Sequence, residues 1–486
     1  MNQSSSGDIS QSMRQANNKV RLGSVRVVAT LLSTVLLVGT SVIGLAYKFV
    51  NDIGVSVSPH DSTIEVLSPN ASLLNARRLP AIVSAEIRIG GLVRSLSDTV
   101  RNFPNQSCLI VSVEGQQIAS IKPNLPLIPA SNMKLLTAAA AIEALGPDFV
   151  FTTKVVGLSE SNQIVGDLWL VGGGDPVLST IDYPATESYP TLHPTNIGLL
   201  VDAIVAAGIT VVTGNVVGDE SRYDTERFTP TLGLGVRTTE VGPLGALMLN
   251  DGVVLSSPIK PDQPALSAAQ EFLRLLNERG IIVQGTAQTG TASADLPVIA
   301  SISSAPLSDV IAEMLTNSDN NTAELILKEV GLSRLSTGTR IAGTQAVQTI
   351  LQDLELPVDG LVMIDGSGLD RGNRVTCALL ASVLERDGGF GVLGKGLAIA
   401  GQTGTLRDLL AETSASERLH AKTGTLTGAK ALSGYVQYTP EKAAVFTLIL
   451  NGSGVSNQGA YRPIWNGLAN ALGAFTEHPS VADIAP

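Results

Sequence analysis

Hydrophobic positions change their spacing repeatedly along the chain, and each change predicts a different kind of element. From Val27 to Tyr47, "VVATLLSTVLLVGTSVIGLAY", 21 residues pass without a charge, about the length that spans a bilayer core. Around Cys108, "SCLIVSVEGQQIASIKP" reads as two β-rich runs joined at "EGQQ", a hairpin. The stretch "IPASNMKLLTAAAAIEALG", Ile128 to Gly146, is dominated by Ala and Leu after a serine and predicts a helix with Ser131 as its N-cap. Between about 151 and 300, short Val/Ile/Leu runs alternate with Gly and Asp turns around one amphipathic helix, "SAAQEFLRLLNERG", which predicts a mostly β insert. Helical spacing returns near 306–315, 322–330 and 340–353. Then "LHAKTGTL", "AKALSGYVQYT" and "AAVFTLILNG" read as an antiparallel meander with turns at Thr427-Gly428 and Pro440-Glu441, and a last helix covers roughly 461–473.

These textures predict a chain organised as a tail (1–26), a transmembrane anchor (27–47) and a linker (48–80) without steady periodicity. Residues 81–150 and 301–475 follow as one α+β domain interrupted by a β-rich insert (151–300) of one or two subdomains, with a short tail at 476–486. Hydrophobic residues make up 44% and charged ones 15%, which excludes global disorder. The net charge is −11, yet the first 26 residues carry four cations against one carboxylate. The positive-inside rule then places the N-terminus in the cytoplasm and everything after Lys48 on the far side of a cell membrane, extracellular or periplasmic. The alternative is secretion after cleavage beyond "GLA". With no basic stripe, nucleic acid is excluded as a partner. Cys108 and Cys377 either pair or pack as small apolar residues, and four scattered histidines build no metal site by their spacing.

One residue is out of place. Three positions after Ser131 a capping box would put Glu or Gln, and this chain has Lys134, a cation at the positive end of a helix. One helical turn apart, the two side chains share a face. If the pair lines a pocket, Lys134 can take the Ser131 proton, provided it is neutral; desolvation and neighbouring positive charge both push a lysine that way. The Ser131 backbone N–H, unsatisfied in the first turn, can face a developing oxyanion.

Two further motifs accompany S-x-x-K. "TNSDNNTAE" holds S-D-N at Ser318, Asp319 and Asn320 between two helices, and "HAKTGTL" holds K-T-G at Lys422, Thr423 and Gly424 on a strand. In this order they are the signature elements of penicillin-recognising serine enzymes. The chain resembles the D-alanyl-D-alanine carboxypeptidase/endopeptidase family of low-molecular-mass penicillin-binding proteins, in the branch with a large insert between the first two motifs. Ser131 and Ser318 stand 187 residues apart, and "LVGGGDPVLS", "IDGSGLDRGNRVT" and "AGQTGTLRDLL" match as well. The likeness covers roughly 80 to 475. Cys377 stands where the family often has proline, and Thr403 where an Asp is usual.

The resemblance implies a penicillin-binding/β-lactamase-like transpeptidase fold, an antiparallel sheet packed with helices, with Lys422 on the edge strand facing Ser131. It implies a serine-type D-Ala-D-Ala carboxypeptidase, with DD-endopeptidase activity also expected, that needs no cofactor, acts on peptidoglycan stem peptides and is acylated by β-lactams. Ser131 would be the nucleophile, Lys134 the base, Ser318 the proton relay and Lys422 its electrostatic support. Asn320 would bind the substrate amide and Thr423 the terminal carboxylate, beside Gly424, with the N–H groups of Ser131 and Thr425 as oxyanion hole. A β-lactamase is disfavoured because no E-x-x-N lies between the first and third motifs, and a non-catalytic cell-wall scaffold because every motif residue is present. "GFGVLGKG" lacks the Ser or Thr of a P-loop, and His420 lacks any G-x-S-x-G partner. His420 is expected to be a solvated strand residue, and Asp319 and Asp365 to bond loop backbone.

Overall fold

The computed structural model describes residues 81–477 apart from 255, 256 and 258. The expected tail, anchor and linker over 1–80 lie outside the described residues. The single-pass membrane placement is corrected: among the described residues no helix is long and apolar enough to cross a membrane. An uncharged run meets the length requirement for a span, but length alone does not establish one.

The terminal meander and the early hairpin combine in one six-stranded antiparallel sheet. Its order is Ala398–Ile399, Leu419–Leu426, Ala429–Thr439, Lys442–Asn451, Gln106–Val113 and Gln116–Ile121. The hairpin joins through its first strand, which sets Cys108 opposite Ile449. Central strands are apolar on both faces because helices cover both. Met133, Leu135 and Leu136 from the helix Met133–Leu145 pack on one side with Ile311 and Leu327. Trp465 and Leu468 from Gln458–Gly473 pack on the other, with Leu92 and Leu96 from the helix Ala81–Val100. This last helix was not expected: among its described side chains only Leu92, Leu96 and Thr99 are buried, and two glycines interrupt its apolar stripe.

Cys108 and Cys377 form a disulfide that ties the hairpin strand to the start of the helix Cys377–Asp387, across 269 residues of chain. Cross-linking so long a loop removes many conformations from the unfolded chain. Cys377→Ser is therefore expected to lower the urea-unfolding free energy by about 2–5 kcal/mol, matched by reductant acting on the parent protein. A loss within error of zero in both would refute that assignment.

Residues 152–303 build a second, seven-stranded sheet around Thr152–Glu160, Gln163–Val171, Val216–Asp219 and Val298–Ser303. Gln163–Val171 and Val216–Asp219 run parallel, which requires a crossover, and the helix Gly198–Ala206 lies within it. That helix and Pro264–Glu278 bury Leu200 and Phe272 against the sheet. Charged pairs fasten the following segment to the helical layer: Arg222 to Glu329, Asp224 to Lys328, and Glu226 to Arg340. The loop after it is thereby brought over the helix Asn320–Leu335. Thr231 donates to Asp370 there, and the Glu240 carbonyl accepts from Asn320.

Candidate active site

The chain enters the long helix through a single 3-10 turn, Ala130–Asn132, and becomes α-helical at Met133. Ser131 therefore sits in a tight turn rather than at the N-cap. The cap position falls on Asn132, whose amide donates to Ser433 Oγ on the sheet at 2.7 Å. Ala130 takes a left-handed φ of 48°, which redirects the chain just before the serine. Two glycines press on this turn. A Cβ at Gly368 would lie 1.9 Å from the Ala130 carbonyl oxygen, and one at Gly424 would lie 2.7 Å from the Pro129 oxygen. The K-T-G glycine is thus a spacing residue between strand and turn. Gly424→Ala is expected to push the serine off line and slow acylation by about 10²-fold, since roughly 1 Å of misplacement costs that much. Stopped-flow trapping with a fluorescent penicillin measures it, and an unchanged rate would remove this role.

Lys134 is fully buried. Its Nζ lies 3.0 Å from Ser131 Oγ, 2.7 Å from Asn320 Oδ1 and 2.9 Å from the Ser367 carbonyl oxygen. A neutral amine has two N–H bonds and one lone pair. Donated to Asn320 and Ser367, the two hydrogens leave the lone pair aimed at the serine. Burial pulls the Lys134 pKa down to about 8, against the carboxylates of Asp319, Glu324, Asp365 and Glu240. Desolvation, not neighbouring positive charge, does this; the surroundings are acidic.

Asn320 opens the helix Asn320–Leu335, with Asp319 as N-cap accepting from the Thr322 N–H at 2.5 Å. The Asn320 carboxamide is engaged at both ends, by Lys134 and by the Glu240 carbonyl at 2.6 Å, so it braces the Lys134 amine. Ser318 adopts a left-handed φ of 67° in the turn before it, half-buried, and among the described residues its hydroxyl has no hydrogen-bond partner. Ser131 and Lys134 thus come from the start of one helix and Ser318 from the turn before another, in a region where Asp319 acts on Lys134 through its charge.

Lys422 is also fully buried, and its Nζ reaches the Thr423 carbonyl oxygen at 3.0 Å. Desolvation first and the charge of Lys134 second hold its pKa well below that of a free lysine. Thr423 donates to Thr405 Oγ1 at 2.9 Å, and the exposed Thr425 accepts from Lys430 at 2.6 Å. This strand is not a full edge: Ala398 and Ile399 pair with Ala421 and His420. From Lys422 to Leu426 its outer side carries no strand among the described residues, leaving an edge that an extended peptide can extend.

Several participants escaped the sequence reading. Ser367 and Thr405 lie inside the matched segments "IDGSGLDRGNRVT" and "AGQTGTLRDLL", which therefore marked the place without the role. Glu240 acts through its carbonyl, so its residue type gives no signal. Asp365 accepts from the N–H groups of Gly368 and Asp370 at 2.9 and 2.7 Å and shapes the turn that presents Ser367. His420 is half-buried rather than solvated, and burial lowers its pKa. In "GFGVLGKG", the amides of Leu393 and Gly394 bind Asp387, which makes this glycine-rich loop a structural turn.

The chain is similar to known proteins. The model of the D-Ala-D-Ala carboxypeptidase 3 (S13) family matches residues 104–260 and 254–471. The chain is 29% identical to a D-alanyl-D-alanine carboxypeptidase of Actinomadura sp. (strain R39), over 71% of this chain and 77% of that protein. It is 28% identical to carboxypeptidase DacB of Mycolicibacterium smegmatis, over 88% of this chain and 95% of that one. Penicillin binding protein 4 (dacB) from Haemophilus influenzae superimposes with a TM-score of 0.65 at 21% identity, covering 78% of this chain and 98% of that one. Both parts of the family model match, and together they span Ser131, Ser318 and Lys422; the chain belongs to the D-Ala-D-Ala carboxypeptidase 3 (S13) family.

Proposed function

We propose that the protein is a serine-type D-Ala-D-Ala carboxypeptidase that cleaves peptidoglycan stem peptides through an acyl-enzyme on Ser131, and that β-lactams acylate the same residue. The observation that carries this reading is the buried Lys134 amine 3.0 Å from Ser131 Oγ, with its other two bonds already directed to Asn320 and Ser367. Ser131 Oγ adds to the carbonyl carbon of the penultimate D-Ala while its proton passes to Lys134. The oxyanion is held by the N–H groups of Ser131 and Thr425. The C–N bond then breaks, and the leaving amine takes its proton through Ser318, with the Lys422 charge favouring that transfer. Water repeats the sequence on the ester and releases the shortened peptide. Thr423 receives the terminal carboxylate. The substrate backbone lies along the open side of Lys422–Leu426, and Asn320 meets its amide if it exchanges its Glu240 contact.

In this reading residues 81–150 and 301–475 form the peptidase domain, and the insert 151–300 supports the loop that ends at Glu240. The test is incubation of the purified protein with pentapeptide and cross-linked muropeptides, followed by mass spectrometry. Loss of the terminal alanine is expected, and scission of the cross-linked species marks endopeptidase activity. Unchanged peptides together with an unlabelled Ser131 after penicillin treatment would overturn the proposal.

A further inference from the structure

The turn Asp365-Gly366-Ser367-Gly368 is wedged between the helix that carries Lys134 and the helix that carries Asn320. On one side the Gly366 carbonyl accepts from Thr137 at 2.8 Å. On the other, a Cβ at Gly366 would lie 2.9 Å from the Ala323 carbonyl oxygen. Ser367 meets both helices with its two backbone groups. Its carbonyl accepts from Lys134 Nζ, and its N–H donates to Glu324 Oε1 at 2.7 Å. Glu324 is 3% exposed and Ser367 1%, so a buried carboxylate stands one residue away from the buried amine. It lies four residues after Asn320, on the same helix face. The reaction described above gives it no part.

Four carboxylates act on Lys134 through their charge, those of Asp319, Glu324, Asp365 and Glu240, and Lys422 adds a positive charge from the strand. Asp319 caps its own helix, Asp365 accepts from the N–H groups of Gly368 and Asp370, and Glu240 meets Asn320 through its carbonyl. Among the described residues, only the Glu324 side chain bonds to a residue that itself holds the amine. Resting on the acyl-enzyme reading above, we propose that Glu324 is a positioning residue for Lys134: through Ser367 it fixes the carbonyl that orients the amine, and by its charge it makes that amine a stronger base. The two effects separate by substitution. Glutamine keeps an oxygen for the Ser367 N–H and removes the charge. Aspartate keeps the charge and falls one methylene short of the N–H. Burial first and the Glu324 charge second push the Asp365 pKa up to about 7, so above that pH Asp365 is ionised with or without Glu324. A change in the Lys134 titration near 8 then reports Glu324 itself.

The experiment follows acylation of Ser131 by a fluorescent penicillin from pH 6 to pH 10 in the parent, Glu324→Gln and Glu324→Asp proteins. The parent rate is expected to rise with a midpoint of about 8. In Glu324→Gln the midpoint should fall by about one pH unit, because a nearby opposite charge no longer favours the ammonium. Its high-pH plateau should fall about threefold, since a weaker base takes the proton more slowly. Glu324→Asp should keep the parent midpoint and run about tenfold slower at every pH, as a displaced base does. That variant retains the buried charge, so it decides the question even where Glu324→Gln does not fold. A Glu324→Gln midpoint equal to the parent's, or a Glu324→Asp rate equal to the parent's, would overturn the inference alone. Absence of any adduct in the parent would overturn the acyl-enzyme reading and this inference with it.

Discussion

Ser131→Ala is expected to yield no covalent adduct with any β-lactam and to reduce peptide cleavage by about 10⁵–10⁶-fold, the scale seen when a serine nucleophile is removed. The loss is chemical, because the fold has little reason to notice. Ser131 Oγ makes one hydrogen bond, to Lys134, and the 3-10 turn around it is held by backbone contacts against Gly368 and Gly424. Thermal unfolding of the variant should match the parent within a few degrees. A variant that still traps fluorescent penicillin at another residue would remove the nucleophile assignment, whatever its effect on turnover.

Lys134→Met is expected to slow acylation by about 10²–10⁴-fold, the usual contribution of a positioned general base. In the parent the rate should climb as pH rises through about 8, where the buried amine loses its proton. The variant should lose that limb. Stability supplies a second, signed readout. The folded-state pKa of about 8 lies below the ordinary 10.5, so the stabilising contribution is complete above 10.5 and is lost as pH falls through 8. At pH 7 the charged, buried lysine thus costs about 3 kcal/mol relative to high pH. Methionine avoids this cost but leaves Asn320 Oδ1 and the Ser367 carbonyl each one donor short, at about 1–3 kcal/mol apiece. The difference in unfolding free energy between the two proteins should therefore move in favour of the parent by about 3 kcal/mol between pH 7 and pH 10.5. A difference independent of pH in urea titrations would show that Lys134 is not held below its normal range.

Much of this site was legible because its chemistry is carried by side chains at short, fixed spacing. Ser131 and Lys134 lie a turn apart on any helical geometry, and the strand alternation around "HAKTGTL" places Lys422 and Gly424 on a common face. Five strands of the six-stranded sheet, those of the hairpin and the terminal meander, followed from apolar runs separated by clear turn residues, whereas Ala398–Ile399 did not. The helix Ala81–Val100 did not, because burial on it is confined to a narrow stripe that periodicity over a few residues cannot separate from a linker. The helix Gly198–Ala206 was lost among short Val/Ile/Leu runs of similar length to strands. The membrane placement was drawn from one uncharged stretch and is not supported by any described helix. Contacts made by backbone carbonyls, those of Ser367 and Glu240, depend on the path of distant loops and leave no trace in residue identity.

The strand Gln106–Val113 is built early and seated beside Lys442–Asn451, which is built almost last. While the chain emerges from the ribosome, Ser131 and Lys134 are present hundreds of residues before the last strands of the sheet that must back them. Native pairing between such distant segments is slow to find. A protein truncated before residue 419 would carry Ser131 and Lys134 but no cleft to use them in. Chemical competence is therefore expected only once the final strands are made, with an incomplete chain inert toward its substrate.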